Sequence, residues 1–549
     1  MRSTRLVSPD ELQAILLSET EHALIDVREI DPFSQNHLLF AVPLPLGRLE
    51  LLVTDLLPRR SVPIIVCEDS GSGLGQRAIT RLGQLGYSNV SILDGGIEAW
   101  AKAGFETYSG INVPSKAFGE FVEHEEGTPS LSADELQRLI AEGSDLVVLD
   151  SRPFGEFNWA SIPGGLCCPG AELVYRASAA VPSSKTRVIV NCAGRTRSII
   201  GAQSLINAGL PNEIYALRNG IMGWRLSGYE PANGAQNWAP APTERDKLDA
   251  KNSVTQVAAR FDVQSISTHG LSQWQQERDS NSLFILDVRT IEEFDLNHLE
   301  DAVHAPGGQV VQATDEYIGV RNARIVLVDN DATRATMTAS WLTQMGHPNI
   351  RILAMDDNPD LATVSGARTK PVVGLNNDRL TMIAPAVAEA LIDEGALVLD
   401  MSLSPTYREG HIAEAWFVLR SQLQQSLASI EASTPDFNTV PALILTSEEG
   451  SLAALALSEL RALTDKPIYT LDGGNAAWQR SGLQLTNTNP KYGAEPIDIW
   501  RIPFIADKDK GETVDDAMRA YLDWEVDLMD QLERDATIRF QPFPKAEHL

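Results

Sequence analysis

The chain has 549 residues, 43% of them hydrophobic, which is too long for one ordinary core and predicts about three to five domains. Its 74 acidic and 45 basic residues give a formal net charge of −29, which argues against nucleic acid and anionic membrane surfaces as partners. The four cysteines form no CxxC motif and no His/Cys cluster, so we expect no disulfide framework, no metal site and a reducing, cytoplasmic compartment.

The first residues lead directly into a helical pattern, SPDELQAILL, whose apolar run is short, so we expect no signal peptide; no apolar run is long enough for a membrane span, so we expect none. A short apolar run ending in Asp then occurs four times, and in three copies an Arg follows two residues later. The four runs are ALIDVRE at Asp26, LVVLDSRP at Asp150, LFILDVRT at Asp287 and ALVLDMSL at Asp400.

Each of these runs is followed by two more at nearly constant spacing. The second run ends 41 to 46 residues later, at a candidate loop that starts with Cys67, Cys192, Asp329 or Thr446. The third run ends 26 or 27 residues further on, at Asp94, Asn219, Asp356 or Asp472. Such regularity indicates four copies of one unit.

Continuous apolar runs that alternate with helical patterns are typical of buried parallel strands with crossover helices. We therefore predict the α/β class, with four small parallel sheets flanked by helices. The predicted units are 1–112, 120–234, 253–366 and 376–488, with a linker near 231–252 and a helical tail over 489–549. A Trp recurs after the third run, at Trp100, Trp224 and Trp478, and is expected to pack in each core.

In the second unit a predicted strand delivers Cys192 into the loop Ala193-Gly194-Arg195-Thr196-Arg197, after which a helix starts. Successive N–H groups in such a loop form an anion-binding nest, and the helix N-terminus adds positive potential. Arg195 and Arg197 add two cations. We therefore expect a low pKa for Cys192 and an anionic substrate.

These motifs, strand–Asp-x-Arg, strand–Cys-x4-Arg-Ser–helix and strand–Asn-Gly, resemble the rhodanese family of sulfurtransferases. The resemblance implies four tandem rhodanese-like domains, of which only the second is active. It further implies that Cys192 attacks the outer sulfur of a donor such as thiosulfate, carries it as a persulfide and passes it to a thiol or cyanide, without a cofactor. Ala193, Gly194, Arg195, Thr196 and Arg197 would bind the substrate.

The loops of the other units lack this chemistry. Glu68 and Asp69 beside Cys67 should raise its pKa, and that loop is too long, whereas Asp329 and Thr446 cannot form a persulfide. We expect these units to pack against, shape or cover the active one.

Several residues near Cys192 have weaker claims to a role. Asp150 and Arg152 are expected to be structural, and Cys167 and Cys168 to be buried, with a resolving-thiol role as the alternative. Glu172 and Arg176 could line the mouth of the pocket.

Two other functions remain open. Three degenerate loops out of four are compatible with a non-enzymatic scaffold or a persulfide sensor. A cysteine-dependent phosphatase or arsenate reductase is disfavoured, because family members of that kind have a loop one residue longer, Cys-x5-Arg. The physiological donor and acceptor, and the oligomeric state, are not predicted.

Overall fold

The computed structural model describes residues 4–370, 372–375, 381–505 and 511–541. Within these ranges the chain forms four parallel sheets in succession, each flanked by helices, which confirms the predicted α/β class and the four units. The predicted start of the fourth unit at 376 and both chain ends lie outside the described residues. None of the described helices is both long and apolar enough to cross a membrane.

The first unit has a five-stranded sheet in the order β1-β5-β4-β2-β3, in which all neighbouring strands are parallel. Its strands are β1 (Arg5–Val7), β2 (Ala23–Asp26), β3 (Val42–Pro43), β4 (Ile64–Cys67) and β5 (Val90–Leu93). Its helices are α1 (Pro9–Leu16), α2 (Ile30–Gln35), α3 (Leu49–Leu56), α4 (Leu74–Gln84) and α5 (Gly96–Lys102). The central strands β2 and β4 are buried along their whole length, as expected for apolar runs covered by helices on both faces.

The second unit repeats this topology, with the strand order β6-β10-β9-β7-β8. Helix α6 (Val113–Glu126) precedes it. Its strands are β6 (Ser130–Leu131), β7 (Leu146–Asp150), β8 (Leu166–Cys167), β9 (Arg187–Asn191) and β10 (Ile214–Leu217). Its helices are α7 (Ala133–Ala141), α8 (Phe154–Trp159), α9 (Glu172–Ala180), α10 (Thr196–Asn207) and α11 (Gly220–Leu226).

The predicted linker before the third unit is partly helical, because α12 (Glu244–Arg260) starts within it. Thr243 and Asp246 form a capping box at its start, and the helix packs on both α9 and α17 (Thr333–Gln344).

The sheet of the third unit has the order β12-β11-β13-β14. Its strands are β11 (Leu283–Asp287), β12 (Val303–His304), β13 (Arg324–Asp329) and β14 (Asn349–Ala354). Its helices are α13 (Thr268–Gln276), α14 (Ile291–Leu296), α15 (Gly307–Gln312), α16 (Thr314–Tyr317) and α17 (Thr333–Gln344).

The fourth unit has a six-stranded sheet in the order β15-β19-β18-β16-β17-β20. Its strands are β15 (Met382–Ile383), β16 (Leu397–Asp400), β17 (Trp416–Phe417), β18 (Leu443–Thr446), β19 (Ile468–Leu471) and β20 (Lys491–Tyr492). Its helices are α18 (Pro385–Asp393), α19 (Ser404–Glu409), α20 (Leu423–Ser433), α21 (Ser451–Arg461) and α22 (Gly474–Arg480). The tail contains α23 (Val514–Arg534), which confirms the predicted C-terminal helix.

One buried apolar cluster runs through the first three units and includes residues of α6, α12 and α23, whereas the fourth unit has clusters largely its own. Units two and three pack closely: the indole N–H of Trp341 donates to the Ser204 hydroxyl at 2.9 Å. The three repeated tryptophans are buried in their units, as predicted. The Cys192 loop therefore lies in a unit that packs against its neighbouring units.

Candidate active site

Cys192 lies at the end of β9, directly before the loop that leads into α10. The N-terminus of α11 holds the loop from one side, because Ile221 N–H donates to Cys192 O at 2.9 Å and Met222 N–H donates to Ala193 O at 3.0 Å. Only glycine fits at position 220, where φ is +50° and a Cβ atom would lie 2.3 Å from Cys192 O. The Asn-Gly motif thus positions the loop.

The N–H groups of Ala193, Gly194 and Arg195 find no hydrogen-bond acceptor among the described residues. Helix α10 begins at Thr196, so its N-terminal dipole adds to the same positive potential. The loop therefore has the donors and the polarity that an anionic ligand needs.

The thiol itself departs from the sequence-based expectation. Cys192 is 1% exposed, and burial raises its pKa above the ordinary value, although the charge of Arg197 and hydrogen bonds from Ser198 act in the opposite direction. The expectation of a low pKa is therefore wrong for this conformation. The cations are present, but desolvation of the thiolate outweighs them.

The two loop arginines face different partners. Arg195 turns towards α6, where its Nε and Nη2 atoms each donate to the Glu120 carboxylate at 2.7 Å and a further ion pair joins it to Glu123. Arg197 remains near the sulfur and forms an ion pair of 2.7 Å with Glu156. The two cations are thus held in fixed positions by carboxylates.

Helix α23 covers the loop; the sequence predicts a helix in the tail but not this position. Tyr521 and Glu525 lie against Gly194, and Glu525 is 2% exposed. Lys116 of α6 lies over the rings of Trp500, Tyr521 and Trp524. One signal was available in the sequence: Glu525 interrupts the apolar stripe of α23, between Tyr521 and Leu528.

Comparison with known proteins agrees with this geometry. The family model described as "Rhodanese-like domain" matches residues 8–103, 132–227, 270–356 and 384–481. The chain belongs to the rhodanese family. Its relatives identify that family as one of sulfurtransferases.

Two similar proteins illustrate the relationship. The crystal structure of thiosulfate sulfurtransferase from Pseudomonas aeruginosa is 44% identical, has a TM-score of 0.93 and covers 98% of this chain and 100% of its own. Thiosulfate sulfurtransferase GlpE of Pseudomonas fluorescens (strain SBW25) is 29% identical over 97 residues, which are 18% of this chain and 83% of that protein. The first relative therefore shares the whole four-unit architecture, and the second matches a single rhodanese unit.

In two of the other rhodanese units a carboxylate at the corresponding loop accepts backbone hydrogen bonds. In the third, Asp329 Oδ2 accepts hydrogen bonds from the N–H groups of Arg334 at 2.7 Å and Ala335 at 3.2 Å. In the first, Glu68 Oε2 accepts one from Gly75 N–H at 2.9 Å and another from the Ser72 hydroxyl. Each of these units thus has a carboxylate of its own at the N-terminus of the helix that follows the loop.

The thiol and hydroxyl of the degenerate loops are also sequestered. Cys67 is fully buried, and burial together with the nearby Asp26 raises its pKa well above the ordinary value, which agrees in direction with the prediction. Thr446, in the fourth rhodanese unit, donates its hydroxyl hydrogen to Asn475 at 2.8 Å.

The secondary candidates have structural surroundings. Arg152 donates to both oxygens of Asp150, at 2.8 and 2.7 Å, and to Ala160 O, so this buried pair ties the sheet to the following segment as expected. Cys167 and Cys168 are both buried, and burial raises the pKa of each.

Glu172 and Arg176, the residues that could line the pocket mouth, pair with each other at 2.6 Å. Glu172 also accepts a hydrogen bond of 2.9 Å from Arg334 of the third unit. It therefore links two rhodanese units.

Proposed function

We propose that the protein transfers a sulfane sulfur from thiosulfate or a similar donor to a thiol or cyanide acceptor, through a persulfide on Cys192. The observation that carries the proposal is the contrast between loops. The second unit offers a cysteine beside loop N–H groups that have no acceptor among the described residues, whereas in the first and third units Glu68 and Asp329 place a carboxylate at the N-terminus of the following helix. The 44% identity to a thiosulfate sulfurtransferase over nearly the whole chain supports the same conclusion.

The reaction proceeds in two displacements. The Cys192 thiol loses its proton, and its thiolate attacks the outer sulfur of thiosulfate; an S–S bond forms, the bond within thiosulfate breaks, and sulfite leaves with the electron pair. The acceptor thiolate or cyanide then attacks the outer sulfur of the persulfide and releases the Cys192 thiolate. Arg197, the loop N–H groups and the α10 N-terminus stabilise the anionic sulfur in both steps.

The burial of Cys192 adds one requirement. Because the thiol is 1% exposed beneath α23, the donor and acceptor need a local opening between this helix and the loop. Such gating makes opening a candidate for the slow step.

Mass spectrometry tests the proposal directly. After incubation with thiosulfate we expect one additional sulfur on Cys192 in the wild type and in Cys67→Ala, and none in Cys192→Ala. A thiocyanate assay with thiosulfate and cyanide should follow the same order. Absence of the added sulfur in the wild type would overturn the proposal.

The same experiment separates the alternative function. The alternative is a persulfide sensor, in which sulfur is loaded onto Cys192 but not passed on. Burial of the thiol favours this function if it hinders the acceptor. A persulfide on Cys192 without transfer to cyanide or a thiol would support that reading.

A further inference from the structure

The C-terminal helix α23 forms a roof over the Cys192 loop. A Cβ atom at position 194 would lie 2.8 Å from Glu525 Oε2 and 3.3 Å from Tyr521 Cε1. The carboxyl group of Glu525 is therefore in direct contact with the loop that we propose binds the sulfur, although its helix belongs to no rhodanese unit.

The two oxygens of Glu525 differ in their surroundings. Oε1 accepts hydrogen bonds from the Tyr521 hydroxyl at 3.0 Å and the Thr196 hydroxyl at 3.4 Å. Oε2 is buried and has no hydrogen-bond donor among the described residues. A buried carboxyl oxygen without a hydrogen-bond donor is unfavourable, so this atom indicates a donor that arrives with a ligand.

The nearby cation Lys116 donates no hydrogen bond to Oε2. Lys116 donates a hydrogen bond of 2.7 Å to Ile111 O, and its Nζ atom lies 4.9 to 5.3 Å from the centres of three aromatic rings. Burial is the largest influence on the pKa of Glu525 and raises it above the ordinary value, while the charge of Lys116 acts in the opposite direction and favours the carboxylate. Arg195 and Arg197 are held by other carboxylates.

The degenerate loops show the contrasting arrangement. In the first and third units the carboxylates of Glu68 and Asp329 accept hydrogen bonds from N–H groups in the first turn of the helix that follows, so donor and acceptor satisfy each other. In the second unit neither side is satisfied by the other: the loop N–H groups and Glu525 Oε2 both lack partners within the described ranges. The site therefore has two halves, one for an anionic sulfur and one for a hydrogen-bond donor.

We propose that Glu525 is a substrate-recognition residue that accepts a hydrogen bond from an ammonium or amine group, and that the sulfur acceptor is accordingly an aminothiol. This inference rests on the proposed function of Cys192. Thiosulfate and cyanide carry no donor and leave Oε2 unsatisfied, whereas an aminothiol supplies the donor a few bonds from its sulfur. Its thiolate attacks the outer persulfide sulfur, the Cys192 S–S bond breaks, and the product is the aminothiol persulfide.

The test compares two acceptors within each variant. Transfer from thiosulfate to cysteamine and to mercaptoethanol is measured for the wild type, Glu525→Gln and the matched control Glu533→Gln, which changes an exposed residue of the same helix. The ratio of kcat/KM for cysteamine over mercaptoethanol should fall about tenfold in Glu525→Gln and stay unchanged in the control, as for loss of one charge-assisted hydrogen bond. Using a ratio cancels any general effect on folding or on the opening of α23.

An unchanged ratio in Glu525→Gln overturns the inference. Should that variant fail to fold, Glu525→Asp keeps the charge but shortens the side chain, and a ratio below that of the wild type is expected; a ratio equal to that of the wild type overturns the inference. If the wild type transfers no sulfur even to cyanide, the proposed function itself fails. If it transfers sulfur to cyanide and the ratio is unchanged, only the role of Glu525 fails.

Discussion

Arg197 donates two parallel hydrogen bonds to the Glu156 carboxylate, of 2.7 and 2.8 Å, while its positive charge also acts on the sulfur of Cys192. Glu156 thus fixes the guanidinium group in place and at the same time offsets part of its field. Burial raises the pKa of Cys192, and the positive charge of Arg197 acts against this shift by stabilising the thiolate. We therefore expect the pair to influence the reactivity of the thiol.

The first prediction changes each member of this pair. Arg197→Gln should raise the pKa of Cys192 and slow its alkylation by iodoacetamide about tenfold at a fixed pH below that pKa. Glu156→Gln should lower the pKa and accelerate alkylation, because the arginine is no longer offset. The rate is followed at the Cys192 peptide by mass spectrometry, from neutral to alkaline pH.

Arg187→Gln provides the matched control. Arg187 is more exposed than Arg197, starts β9, the strand that ends directly before Cys192, and pairs with Glu213. Its alkylation rate should equal that of the wild type. Changes of the same sign in Arg197→Gln and Glu156→Gln would contradict the electrostatic account.

A second prediction concerns the third unit, where Asp329 stands at the position that corresponds to Cys192. Its carboxylate lies 2.9 Å from the guanidinium group of the fully buried Arg334 and also accepts hydrogen bonds from the backbone N–H groups of Arg334 and Ala335. Asp329→Asn should reduce the free energy of unfolding by about 2 kcal/mol, because the arginine loses one of its buried charge partners. Urea denaturation measures this effect.

The exposed Asp360 of the same unit serves as the control, and Asp360→Asn should change stability by less than about 0.5 kcal/mol. Sulfur transfer by Asp329→Asn, measured in native buffer, should persist, since Cys192 is untouched. Equal stability of the two variants would mean that the loop carboxylate has no structural role.

The repeat was predictable because each unit contains the same series of apolar runs at nearly constant spacing. Apolar runs that end at Asp26, Cys67 and Asp94 correspond to β2, β4 and β5, and the same register recurs in the other units. The Cys192 loop followed from the same register. Even α12 had a local signal, the Thr243–Asp246 capping box, within the stretch interpreted as a linker.

What the sequence could not predict depends on contacts between distant residues. Gly194 and Glu525 are far apart along the chain, so no periodicity or spacing brings α23 over the active loop. The pKa of Cys192 was predicted in the wrong direction for the same reason. Neighbouring charges can be read from the sequence, but the burial that outweighs them is created by tertiary packing.

The last prediction uses the pH dependence of the Arg334 network. Burial alone would raise the pKa of Glu293, but hydrogen bonds from Arg334 and its charge lower it to about 2. A carboxyl group whose pKa is depressed in the folded protein stabilises it above its ordinary pKa, and this stabilisation is lost as the pH falls through the folded value. Wild type should therefore exceed Glu293→Gln in stability by about 2 kcal/mol near neutral pH.

That difference should be constant above about pH 5 and shrink steadily towards about pH 2, as Glu293 becomes protonated in the unfolded and then in the folded state. Urea midpoints across this range measure it. The neighbouring exposed Glu292, changed to Gln, should give no such dependence. A Glu293→Gln difference that persists undiminished in acid would show that the side chain stabilises the fold through its shape rather than its charge, and that Arg334 is held by Asp329 and Glu172 alone.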